Sequence, residues 1–246
     1  MRLSRFLPLL LLPALLWLAC SSRTHVPADT QGPDRKALAI ADAVMRAQGG
    51  QAAWAATRFI SWNFFGSRSL VWDKHRGLCR IEWKKRPWKV IVNLHDGSGR
   101  VQLKGEEQTH PDTLRKYLDL GKRAWINDSY WLVMPFKLRD PGVTLRYLGR
   151  KNTEAGQAAD VLQLTFSNVG VTPENKYHVW VDTKTHLVTQ WAFFKKYADE
   201  KPDFINAWSD YQRKGKILLS GNRGKSGSLT DIQVSDSVPE GTFERF

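Results

Sequence analysis

The sequence predicts a mainly β, α+β fold, an antiparallel sheet that takes an N-terminal helix and a central helical plug on its concave face. Three observations carry this expectation. Long blocks alternate apolar and polar residues with a period of two, as in Ile60-Ser61-Trp62-Asn63-Phe64 and Cys79-Arg80-Ile81-Glu82-Trp83. Near the N-terminus, Leu38, Ala41, Val44 and Met45 recur instead at helical spacing. The densest aromatic stretch outside the leader, residues 125–147, lies mid-chain, where a helix bearing Trp125, Tyr130, Trp131, Met134 and Phe136 is too apolar for a surface.

In chain order, residues 1–19 read as a targeting segment: Arg2 and Arg5 precede the apolar run Phe6 to Ala19, which is too short to span a bilayer. Leu16-Trp17-Leu18-Ala19-Cys20 resembles the lipobox of bacterial lipoproteins, with Trp17 where that pattern has an aliphatic residue. The resemblance implies that Cys20 becomes the lipid-modified first residue and anchors the chain to a membrane. Ser21 and Ser22 follow with no acid, which by the same resemblance implies a bacterial envelope protein on the outer membrane, facing the periplasm. Cys79 would then be the only other cysteine, so no disulfide forms within the chain. Residues 20–34 read as a flexible tether, and 35–246 as a single domain.

The net charge of +13 raises nucleic-acid binding, but Lys and Arg are spread along the chain without a recognition motif. Loose attraction to an acidic membrane surface fits better.

Pro33 suits a first helical turn, Asp34 suits the positive helix end, and Gly49-Gly50 ends the helix before a second short piece, Gln51 to Ala56. Hairpin strands follow around Ile60 to Phe64, Leu70 and Trp72, Cys79 to Trp83, Trp88 to Leu94, and Val101 to Leu103, the last after the turn Asp96-Gly97-Ser98-Gly99. From Thr113 to Pro135 the spacing predicts one or two short helices. Asp140-Pro141-Gly142 is a turn signature. Strands resume at Val143 to Leu148, Val161 to Phe166, Tyr177 to Asp182 and Leu187 to Tyr197, and more weakly at Trp208 to Tyr211, Ile217 to Ser220 and Leu229 to Val234. Residues 199–207 and 221–228 read as loops, the second as mobile.

This order of elements resembles the outer-membrane lipoprotein carrier superfamily. Gly49 to Trp54, Trp72-Asp73, the stretch 125–147 and Tyr177 to Asp182 are further similar to a bacterial lipoprotein family that has no assigned catalytic residues. The resemblance implies a curved antiparallel half-barrel whose apolar concave face holds acyl chains or a lipidated partner. Function still has to be argued from a site.

Chemistry-bearing motifs are scarce. The histidines form no metal-binding or catalytic pattern, and no nucleophile elbow, Walker loop or dinucleotide fingerprint is present. His178 shares a strand face with Trp180 and Asp182, which reads as a surface pair before a metal or acid–base site. Asp128 reads as the N-cap of a second short helix before a catalytic acid. Lys137 and Arg139 face solvent or meet a ligand phosphate. The tryptophans are the strongest binding hint, with core filling as the alternative. The candidate ligand-binding set is Ile60, Trp62, Phe64, Ile81, Trp83, Trp125, Tyr130, Trp131, Met134, Trp180, Trp191 and Phe193. The reading is a monomeric, non-catalytic binder of a hydrophobic ligand or acylated lipoprotein, without metal or cofactor. A scaffold docking through its sheet is the alternative, and an enzyme on envelope lipids or glycans ranks last.

Overall fold

The computed structural model describes residues 34–167 and 172–246. The leader, the tether up to Pro33 and Cys20 lie outside the described residues.

The first helix, α1 (Arg35–Ala47), is capped by Asp34, whose carboxylate accepts from the Ala37 amide at 3.0 Å. The other carboxylate oxygen accepts from the Tyr147 amide at 2.7 Å, so the cap also ties the helix to a distant strand. Ala37, Ala41 and Val44 are its buried face. Gly49 turns the chain at φ +120°, where a Cβ would stand 2.5 Å from the Lys216 carbonyl oxygen; only glycine fits. The short α2 (Gly50–Ala56) follows.

The meander then runs through β1 (Phe59–Phe64), β2 (Arg68–Asp73), β3 (Leu78–Trp83), β4 (Trp88–Asn93), β5 (Gly99–Leu103) and β6 (Glu106–Glu107). The central segment is one helix, α3 (Pro111–Val133), where the sequence allowed two short ones, and a single 3-10 turn, Met134–Lys137, ends it at Pro135. After it come β7 (Val143–Asn152), β8 (Ala158–Phe166), β9 (Lys176–Asp182), β10 (Val188–Phe194), β11 (Phe204–Ala207), β12 (Ser209–Lys214), β13 (Ile217–Asn222) and β14 (Thr230–Ser235).

All pairings are antiparallel and none closes a barrel, which agrees with the predicted α+β class. The strands form a seven-stranded sheet in the order β14-β1-β2-β3-β4-β5-β6, a five-stranded sheet β11-β10-β9-β8-β7, and the pair β12-β13. The last strand lies against the first, with Phe59 opposite Ser235 and Ile60 opposite Val234. Nothing local in the sequence announces that pairing. Residues 204–207, expected in a loop, form β11 because each is paired across β10, from Phe193–Phe204 to Gln190–Ala207.

One core cluster fills the space between the seven-stranded sheet, α3 and β13; it includes Ile60, Trp62, Phe64, Ile81, Val90, Leu132 and Phe136. A second joins α1 and Met134 to the inner face of the five-stranded sheet through Val179, Trp191 and Trp208. The opposite face of that sheet carries a smaller cluster of Ala159, Val161, Trp180, Ala192 and Phe194. Among the described residues, no helix is long and apolar enough to cross a membrane.

Candidate functional site: an aromatic pocket

The C-terminal part of α3 does not close onto the five-stranded sheet. Between them lies a pocket of about 340 Å³, walled by Ile126, Tyr130 and Trp131 of the helix and by Phe166, Tyr177, Trp191, Phe193 and Phe204 of the sheet. Strand register builds the wall. Phe193 sits opposite both Tyr177 and Phe204, so these rings share one sheet face, together with Trp191 two residues before. Tyr177 stacks on Trp191 at 5.3 Å and 11°, and Phe193 stacks on Phe204 at 5.1 Å and 25°. From the helix, Trp131 stands edge-on to Trp191 at 4.8 Å and stacks with Phe204 at 5.6 Å.

The polar groups of the pocket are neutral. Asn127, Thr172 and Asn175 line it, and the Asn175 amide donates to the Thr172 hydroxyl at 2.6 Å. Burial pushes the Tyr130 phenol well above its ordinary range. Burial also raises Tyr177, to about 12, against a lowering hydrogen bond with Asn175. Both phenols are therefore protonated at neutral pH. The indole N–H of Trp191 is buried without a partner among the described residues.

Two buried cation contacts hold the helix that carries Trp131. Arg68 of β2 donates two bonds to Asp128, at 2.7 and 2.8 Å, and Asp128 is fully buried. Asp128 is thus a mid-helix anchor, not the cap expected from the sequence; desolvation raises its pKa against the pull of Arg68. Arg223, in the segment expected to be mobile, is fully buried with its guanidinium 3.6 Å from the Trp208 ring centroid. It donates twice to the Trp131 carbonyl, at 3.1 and 2.5 Å, and also to Ser220 Oγ, Ser220 O and Asn222 O. All five guanidinium donors are used, two of them on a carbonyl in the last turn of α3, where positive charge is favoured. Burial lowers its pKa to about 9. No local signal marked this residue; its partner lies 92 positions away.

Of the twelve candidate binding residues, the pocket gathers Tyr130, Trp131, Trp191 and Phe193. Ile60, Trp62, Phe64, Ile81 and Met134 are packed core instead, each buried among ring and aliphatic neighbours. Trp125 packs edge-on against Trp72 at 5.2 Å, and Trp83 lies against Trp88 at 6.1 Å, both away from the pocket wall. Trp180 is on the wrong face: odd positions of β9 point into the second core and even ones to the other side. Sequence reading missed Phe166, Tyr177 and Phe204, although period-two alternation puts Tyr177 on the face of Val179 and Val181.

The other candidates resolve as structure. His178 lies 4.6 Å from Phe194 and within 3.4 Å of the Gln163 amide oxygen; burial first, then Lys176 and Lys151, lower its pKa to about 4. Asp182 accepts from the Lys184 and Thr185 amides and shapes the β9–β10 turn. Arg139 pairs with Asp42 at 2.7 Å and Lys137 with Asp140, so neither is committed to a ligand phosphate. Among the described residues, no three His, Cys, Asp or Glu side chains converge as a metal site. Three clefts are larger: about 480 Å³ under the C-terminal segment, with Phe59 and Phe243 in its wall, about 490 Å³ beside β12–β14, and about 360 Å³ between α1 and the 3-10 turn, with Phe136 in its wall; none gathers more than two aromatic side chains.

The fold and pocket together define an α+β protein with a helix laid on antiparallel sheets and an aromatic chamber at one end of that helix. No protein-family model and no curated protein matches the chain. Among solved structures, the chain is similar to a DUF1329 family protein from Desulfovibrio piger, at 14% identity and a TM-score of 0.44, covering 85% of this chain and 97% of that one. It is also similar to MucB, solved in complex with MucA(peri), at 15% identity and a TM-score of 0.27, covering 83% and 66%.

Proposed function

We propose that this protein is a non-catalytic binder of a hydrophobic ligand, and that the chamber between Trp131 and Trp191 is where the ligand lies. The observation that carries the reading is the pocket itself: about 340 Å³ of space walled by seven aromatic side chains. That volume is at the lower end of small-molecule sites, and apolar walls with a few placed polar groups are their usual composition. The neutral polar lining of Asn127, Thr172 and Asn175 suits an ester, amide or hydroxyl head. Each methylene taken out of water contributes about 0.8 kcal/mol, so even part of an acyl chain would be held. In this reading residues 1–19 are removed, Cys20 is lipidated, residues 20–34 tether a single domain from residue 35 onward, and the protein works as an envelope lipoprotein at the outer membrane.

The test is native mass spectrometry of the protein purified without detergent, followed by organic extraction and titration with palmitate and monopalmitoylglycerol. A co-purifying or titrated lipid that Phe193→Ala and Trp131→Ala release supports the reading. An apo mass that neither lipid shifts sinks it. A scaffold docking through its sheet would be favoured by a large exposed apolar patch; among the described residues, Tyr197 is the one exposed large hydrophobic side chain.

A further inference from the structure

The turns β1–β2, β3–β4 and β5–β6 fall at one end of the seven-stranded sheet, as antiparallel connectivity requires. At that end Trp83 closes β3 and Trp88 opens β4, edge to face at 6.1 Å, while Tyr117 of α3 stands edge-on to Trp88 at 5.1 Å. All three rings are partly exposed. The exposed tip between the tryptophans reads Lys84-Lys85-Arg86. Lys104, in the next turn, is tied to it by a 2.8 Å bond from its amide to the Pro87 carbonyl. Arg86 lies 4.5 Å over the Trp88 ring and Lys116 5.6 Å over Tyr117.

Nearby acids are mostly engaged elsewhere: Glu82 with Arg80 at 2.7 Å, Glu107 with Arg100 at 2.5 Å, Asp119 with Arg123 at 2.6 Å, and Asp112 with Arg115. Glu106 is the exposed carboxylate that remains at the β5–β6 turn. The rim therefore carries five exposed cations interleaved with indole and phenol rings.

We propose that this rim is a docking surface for an anionic lipid bilayer. Trp83 and Trp88 sit at headgroup level, and Lys84, Lys85, Arg86, Lys104 and Lys116 face lipid phosphates. An indole has an apolar body and a polar N–H, which suits the boundary between acyl chains and water. Lys and Arg stems lie along apolar surface while their heads reach the phosphates. A soluble polyanion would need the cations alone; the partly exposed ring faces gain only where there is hydrocarbon to enter. This inference does not depend on the pocket being a ligand site.

The test compares the full chain with two variants by co-sedimentation on vesicles of phosphatidylcholine alone and of phosphatidylcholine with phosphatidylglycerol. Binding to the first kind reports any contribution of the leader, which all three chains share. One variant combines Lys84→Glu, Lys85→Glu and Arg86→Glu on the exposed tip; the other is Trp88→Leu, with thermal melting of each to confirm folding. The expected result is a preference for anionic vesicles of about tenfold or more that the charge reversal removes, and a several-fold weakening by Trp88→Leu. Equal anionic preference in the charge-reversed chain overturns the proposal. So does a preference that Trp88→Leu leaves intact and that heparin competes away, since that would make the rim a polyanion site.

Discussion

Against the seven-stranded sheet, α3 comes so close that a Cβ on Gly121 would stand 2.8 Å from Val90 Cγ1. Two to three turns further on, the same helix presents Tyr130 and Trp131 to the five-stranded sheet, and the rings hold the backbone away. The first contact leaves a filled core around Ile81 and Val90; the second leaves the aromatic chamber. Both regions are rich in aromatic residues, so aromatic content does not distinguish core from cavity. The size of the residue at the helix–sheet contact does: a glycine lets the layers close, and two large rings prop them open.

The comparison predicts that damage on the closed side appears as lost stability and damage on the open side as lost binding. The largest effects belong to the closed side. Removing the partner of a fully buried charge, Arg68→Ala, should destabilise by about 3–5 kcal/mol, measured by urea unfolding. A milder loss would mean that Asp128 neutralises itself in the variant. Trp62→Ala should cost about as much, ~3–5 kcal/mol, with no change in ligand content. Gly121→Val should cost about 1–3 kcal/mol by overpacking against Val90, and a neutral result would show that the helix can lift. On the open side, Phe193→Ala should cost less stability than Trp62→Ala while lowering retention of a bound lipid about tenfold; the reverse ranking would erase the distinction.

The smallest effect is a pH dependence on the outer face of the five-stranded sheet. His178 has a folded pKa of about 4, below the ordinary 6.5, because burial disfavours its charged form. The unfolded chain therefore binds the extra proton between those values, so stability falls as pH drops from about 6.5 to 4 and is unaffected by this group above that window. Partial exposure limits the effect to about 1–2 kcal/mol. His178→Gln should flatten that part of the curve, and an unchanged slope would assign it to another group.

Much of this was legible in the sequence wherever the deciding interaction is local. The Gly49 stop and the hairpin strands from Phe59 to Leu103 follow from residues within a few positions of one another, and Asp34, read as a charge at the positive helix end, is the cap itself. Four pocket residues were legible as candidates because large rings in an alternating pattern are visible in a local window; separating them from Trp62 or Trp180 was not possible there. Alternation says which residues share a face, but not whether the space in front of that face is filled.

The sequence by itself determined the α+β class, the strand alternation and the existence of a greasy central helix, because propensity and periodicity act over a turn or a strand. Only the tertiary structure decided that β14 pairs with β1, that Asp128 answers Arg68 across 60 positions, and that Arg223 holds the end of α3. It alone decided where the interior stays open. Those outcomes depend on which distant segments meet and on whether their side-chain volumes fill the space between them, and no local stretch of sequence contains both surfaces.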